Sequence, residues 1–105
     1  METTFSQRVI TAALSIPVGS VSTYGDIARV CGGGGQAARS ISGILRRAQK
    51  NGAKNIPWHR IIYSNGRVWK NKQYDALRTK LYAKEKIDID EKGYVIDFAL
   101  KRYQF

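Results

Sequence analysis

The sequence predicts a mainly α fold with a small β wing, a winged helix-turn-helix, and three observations point to it. Two helical stretches are joined by a glycine-containing turn, and the second is basic. Ser64-Asn65-Gly66 separates two apolar runs, which is a hairpin pattern. The net charge of +10 is confined to one segment: residues 39–80 carry eleven Lys or Arg against Asp75 alone, while segments 1–38 and 81–105 each sum to zero.

Thr4-x-x-Gln7 is a capping box opening a first helix, and Phe5, Val9, Ala12, Ala13 and Ile16 follow near helical spacing. That helix should run to about Ser15, before Pro17-Val18-Gly19. Ser22 and Thr23 precede a short second helix, Tyr24 to Val30, with Asp26 in its first turn, where the helix dipole favours an acid. Cys31 closes it and Gly32 to Gly35 let the chain turn. No Lys-Ser/Thr pair follows the glycines and no strand precedes them, so they do not make a phosphate loop. A third helix should span Gln36 to Lys50, with Ile41, Leu45 and Ala48 inward and Arg39, Ser40, Ser42, Gly43, Arg46 and Arg47 outward. Arg60–Tyr63 and Arg67–Trp69 are the arms of the expected hairpin. Tyr74–Lys86 reads as a fourth helix with Tyr74, Leu77 and Leu81 as its apolar surface. Tyr94–Phe98 reads as extended, and the aromatic tail Leu100–Phe105 should fold back on the core.

One hundred and five residues suit a single domain, taken as 1–105. No run approaches a membrane span and the N-terminus lacks a basic region followed by an apolar one. A lone cysteine makes no internal disulfide, so a reducing cytoplasm is the expected location. One Cys and one His exclude a structural zinc site, and no cofactor is implied. A basic stripe held to one segment reads as a polyanion footprint, and its Gly and Pro turns argue for nucleic acid over an anionic membrane.

At the centre of that stripe stands Asn55-Ile56-Pro57-Trp58-His59-Arg60-Ile61-Ile62-Tyr63, with the only histidine of the chain. Pro57 biases Ile56 towards extended geometry, and the Ile pair marks a strand. Phosphate contacts carry no sequence information, so selectivity must come from other groups. Arg39, at the start of the expected recognition helix, could fill the gap left by an extruded nucleotide. Trp58 offers a flat face for a flipped base. Tyr24 could press on a phosphate and rotate it. Read singly, each has a plainer role: Tyr24 a half-buried ring, Arg39 a phosphate contact, Trp58 a core residue.

Ile16-Pro17-x-Gly19-x-Val21-x-Thr23-Tyr24-Gly25-Asp26-Ile27-Ala28, then Ala38-Arg39-x-x-x-Gly43, then Ile56-Pro57-Trp58-His59-Arg60-Ile61-Ile62 closely resemble the C-terminal DNA-binding domain of O6-alkylguanine-DNA alkyltransferases. In those enzymes a Pro-Cys-His-Arg element supplies the cysteine that accepts the alkyl group. Trp58 stands at that position here, which resembles the alkyltransferase-like proteins that bind O6-alkylguanine without repairing it. The resemblance runs from about Phe5 to Glu85.

It implies a minor-groove winged helix-turn-helix in which Tyr24 assists rotation of the nucleotide and Arg39 intercalates. Pro57, Trp58 and His59 would floor the lesion pocket, and Glu85 would orient His59. A wing cation, Lys70 or Lys72, would approach the lesion oxygen. Thr23, Ser40, Ser42, Gly43, Arg46, Arg47, Arg60 and Arg67 are expected to meet the backbone or groove. The enzymes usually support the active-site loop with an Asn near the end of the recognition helix. Ungapped alignment puts Ala48 there, which leaves that support absent or to Asn51. An indole has no nucleophile comparable to a thiolate. Cys31 is remote in the motif from His59 and reads as a small packed residue.

The sequence therefore points to a monomer without catalytic residues that flips O6-alkylguanine out of double-stranded DNA and holds it, and the resemblance implies that the complex hands the lesion to nucleotide excision repair. The rivals are a dimeric winged-helix regulator with no lesion preference and a residual alkyltransferase acting through Cys31.

Overall fold

The strand pair at the centre of the fold is short, but it joins two separate groups of buried side chains. In the computed structural model, which describes residues 4–33, 37–70 and 72–105, β1 (Ser22–Thr23) lies parallel to β2 (Ile61–Ile62), with Ser22 opposite Ile61 and Thr23 opposite Ile62. Successive strand residues point to opposite faces. Ile61 accordingly packs with Val9, Ala13, Ile27, Ile41 and Leu45, while Ile62 packs with Val21, Val68, Tyr82, Ile87 and Val95.

The first group is enclosed by α1 (Phe5–Ser15), α2 (Tyr24–Val30) and α3 (Ala38–Lys50). Their starts and stops follow local chemistry. Thr4 and Gln7 form the full reciprocal capping box of α1. The Thr23 hydroxyl accepts from Asp26 N–H at 3.0 Å and caps α2. Asn51 caps the end of α3, and Gly52 follows with φ +106°. Ile41 and Leu45 of α3 are buried as the periodicity requires, with Ile44 beside them; Ala48 is half-buried. Gly34, Gly35 and Gln36, where the glycine run ends and the third helix was expected to begin, lie outside the described residues.

The second half departs from its expected form in three places. The Asn65-Gly66 turn is present, with Gly66 N–H donating to Tyr63 and Tyr63 N–H to the Arg67 carbonyl. Its second arm does not extend that hairpin, however. Arg67 bridges Tyr94, and Val68 N–H donates to Gly93, so the arm pairs forward with the segment before the tail. Gly66 has φ +88°, and a Cβ there would lie 3.0 Å from the Phe98 ring, so the turn needs glycine twice over.

The fourth helix, α4, is Asp75–Lys84, and its buried residues are Arg78 and Tyr82; Leu77 is 51% exposed. The apolar spacing misled because a guanidinium occupies the inward face. Arg78 lies over the Trp69 ring (5.4 Å) and pairs with Asp75 (2.5 Å). The extended segment after Gly93 ends early, because Asp97 turns left-handed (φ +57°) and a single turn, α5 (Phe98–Lys101), follows. The tail does fold back: Arg102 bridges Val21, and Tyr103 packs on the first group of buried side chains. Leu100 is 84% exposed and stays out of the core.

Candidate nucleic-acid interface

The exposed stripe of α3 follows from helical geometry. Residues three and four apart share a face, so Arg39, Ser42 and Arg46 stand in one row and Ser40, Gly43 and Arg47 in the next. Arg39, Ser40, Arg46 and Arg47 are exposed, while Ser42 and Gly43 are half-buried. The first row borders a cleft of about 400 Å³, and Tyr24, Tyr63 and Trp69 complete its wall. Tyr24 begins α2, Tyr63 begins the wing turn and Trp69 ends the wing's second arm. The cleft thus forms where the helix pair meets the wing.

Burial pushes the Tyr24 hydroxyl up to about 12; Tyr63 adds to the rise and Arg46 opposes it. Tyr24 is therefore a neutral hydrogen-bonding group at neutral pH. Its ring lies 6.4 Å from that of Tyr63, tilted by 40°.

Trp58, His59 and Arg60 form a single 3-10 turn leading into β2. The turn is pinned on every side. Arg60 Nε and Nη2 donate to the two Glu85 oxygens, each at 2.9 Å, and Nη1 donates to the Ile16 carbonyl at 3.0 Å. His59 Nε2 lies 2.5 Å from Glu85 Oε2. Gly19, at φ +89°, turns its N–H onto Glu85 Oε1 at 3.1 Å. The Tyr82 hydroxyl donates to the His59 carbonyl at 2.6 Å. Burial alone would raise the Glu85 carboxyl. The bonds from Arg60, His59 and Gly19 outweigh burial and hold it down at about 2. An ionised carboxylate only accepts, so the proton of this contact sits on His59 Nε2.

Glu85 therefore orients His59 as the resemblance implied, and it clamps Arg60 as well. That second contact corrects the assignment of Arg60 to the DNA backbone: the guanidinium is engaged inside the fold, with its side chain 18% exposed. Thr23 is corrected too, since it is fully buried and its hydroxyl caps α2.

The anticipated constellation is divided. Tyr24 and Arg39 share the cleft, but Pro57 and His59 line a different depression with Ile56, Arg60 and Tyr74. Trp58 lines neither. It packs half-buried against the helical core, and its indole N–H donates to Gln49 Oε1 at 2.9 Å. Support for the loop comes from Gln49, one residue beyond Ala48, with Asn51 serving as the helix cap. Arg67 is exposed, with its guanidinium over Tyr94 (6.0 Å). Lys70 and Lys72 are both exposed, and neither borders the cleft.

Sequence reasoning missed Tyr63 and Trp69. The available signal was their place as aromatic residues on the two arms of one turn. Cys31 is 3% exposed, and burial raises its thiol, with Arg8 only partly opposing. It borders a separate groove with Ala12, Ser15 and Phe105, not the Tyr24 cleft. Among the described residues no group of His, Cys, Asp or Glu could hold a metal ion, and no helix is long and apolar enough to cross a membrane.

Residues 4–87 match the family described as the 6-O-methylguanine DNA methyltransferase DNA-binding domain. The chain belongs to that family. Among relatives of this DNA-binding domain, a DNA base-flipping protein of Vibrio parahaemolyticus is 35% identical over 102 residues, 96% of this chain and 95% of its own length. A DNA base-flipping protein of Escherichia coli is 39% identical over 67 residues, which is 64% of this chain and 50% of the relative; the chain matches about half the length of that protein. The family fold extends to S. pombe Atl1, whose crystal structure in complex with damaged DNA containing O6-carboxymethylguanine superposes with a TM-score of 0.76. That match has 25% identity and covers both chains completely. The mostly helical, winged-helix-like architecture is thus that of the alkyltransferase DNA-binding family.

Proposed function

We propose that this protein binds O6-alkylguanine in duplex DNA, turns the nucleotide out of the stack and holds it without chemical repair. The observation that carries the reading is the convergence of Tyr24 and Arg39 on one cleft beside the basic face of α3. Tyr24 supplies a rigid, neutral ring at the helix start to press against the phosphate. Arg39, exposed on the first turn of α3, is free to enter the stack and fill the vacated space. Arg46, Arg47 and Arg67 neutralise phosphates around them. The names of the base-flipping relatives and the damaged DNA in the Atl1 crystal support the same reading.

Absence of alkyl transfer follows from position 58. A thiolate is needed there to accept an alkyl group. Trp58 brings an indole whose N–H is already given to Gln49. Cys31 is buried, with its thiol raised by burial. Since the lesion survives, the output is the complex itself. We extend the reading to a cytoplasmic monomer whose complex recruits nucleotide excision repair.

A duplex carrying one O6-methylguanine with a labelled methyl group tests the proposal. The label should remain wholly on the DNA after prolonged incubation, and the methylated duplex should be bound in preference to the plain one. Label recovered on the protein would overturn the non-enzymatic reading.

A further inference from the structure

A second groove is formed by α4, residues 87–89 and Val68 of the wing arm. Its volume is about 360 Å³, within the range typical of small-molecule pockets. Val68, Tyr82, Ile87 and Ile89 give it an apolar floor, and it shares no lining residue with the Tyr24 cleft. One cation stands in this lining. Arg78 is 7% exposed, on the inward face of α4. A buried guanidinium is costly unless its donors are met, and those of Arg78 are met only in part. Nη2 donates to Asp75 at 2.5 Å, and the cation lies over the Trp69 ring, 5.4 Å from its centre. Nη1 has no acceptor among the described residues and is closed off from solvent. The fold thus keeps one charged donor unmet beside an apolar groove.

We propose that this groove is a binding site for a small apolar monocarboxylate, whose carboxylate accepts from Arg78 Nη1 and whose body covers the apolar floor. Reaching Nη1 requires the guanidinium to turn towards the groove. Its anchor allows that turn, because the Asp75 side chain is 41% exposed and able to follow. A charge-assisted bond to the carboxylate then satisfies the donor that the empty fold leaves unmet. The lining also selects the charge. One free nitrogen matches one carboxylate oxygen, whereas the exposed Asp88 and the hydrocarbon floor disfavour a phosphate dianion. A neutral apolar molecule would leave Nη1 without an acceptor, and a bare anion would leave the floor uncovered. Nothing in this site depends on lesion binding.

Nuclear magnetic resonance titration of the isotope-labelled protein tests the site with three probes at matched ionic strength. Sodium benzoate carries both the charge and an apolar body, sodium acetate the charge alone and benzamide the body alone. Benzoate should shift the Arg78 Nε–H signal and the amides of Thr79, Ala83 and residues 87–89, at an affinity about tenfold or more above that of either other probe. Ala83 is exposed at the edge of the groove, so Ala83→Trp keeps the fold, fills the space and should abolish these shifts. Arg78→Met, which keeps an unbranched chain without the charge, should bring benzoate down to the level of benzamide. If Arg78→Met unfolds, Ala83→Trp and the comparison of probes decide. Benzoate shifts that persist in Ala83→Trp would overturn the proposal, as would equal affinity for benzoate and acetate. Benzoate shifts confined to Arg39, Arg46 and Arg47 on α3, or absent from the groove altogether, would overturn it too.

Discussion

Removing Glu85 would strip three donor groups of their acceptor at once: the Arg60 guanidinium, His59 Nε2 and the Gly19 amide. The carboxylate side chain is 4% exposed, so little water could replace it. Breaking a buried ion pair by deleting one partner costs about 3–5 kcal/mol, and Glu85→Ala should fall in that range in urea unfolding. The same contacts set an acid limit. The Glu85 carboxyl is depressed from 4.5 in the unfolded chain to about 2 in the fold. A depressed carboxyl stabilises above its unfolded value and loses that contribution as pH falls towards its folded value. The contribution should therefore be complete above about pH 4.5 and fade towards pH 2, amounting to roughly 3 kcal/mol. Asp26, lowered by its bonds to Arg102 and Arg29 against the opposing effect of burial, acts in the same sense. Wild-type stability that stayed flat from pH 5 to 2.5 would contradict the assignment.

Among the elements, the N-terminal half was legible because its signals are local. Thr4, Gln7 and Thr23 cap helices through bonds spanning three residues, and such bonds can be read from spacing. The C-terminal half is organised by long-range contacts that spacing does not encode. The second wing arm finds its partner at Gly93–Val95, and α4 turns inward Arg78, which the apolar spacing of Tyr74, Leu77 and Leu81 does not include. The site divides the same way. Tyr24 and Arg39, named from their motifs, line one cleft, whereas Trp69 joins that cleft through a stack with Tyr74 and a bond to Trp58 that no periodicity announces. The tail is a separable element with its own clamp, since Arg102 Nε and Nη2 reach the two Asp26 oxygens at 2.6 Å each. That pair is partly exposed, so Asp26→Ala should cost about 1–2 kcal/mol, between surface and buried pairs. Hydrogen exchange should show the Val21 and Tyr103 amides, which bond across this junction, losing protection before the α3 amides do.

At the scale of the whole molecule, the charge excess of the 39–80 segment and the cleft do different work. On the proposed function, the exposed arginines of this segment would draw any duplex by releasing counterions, an attraction that weakens steeply with salt whatever the base sequence. Selectivity, on the same proposed function, would arise in the cleft lined by Tyr24, Tyr63 and Trp69, where stacking is worth about 1–3 kcal/mol per base. The two contributions separate in a single titration. Duplexes with and without one O6-methylguanine should be titrated at about 50 and 200 mM salt, the range over which phosphate-driven affinity drops sharply. Both affinities should fall together while the preference for the methylated duplex holds at about tenfold or more. Equal affinity for the two duplexes at both salt concentrations would contradict lesion recognition and leave only a basic protein that binds DNA.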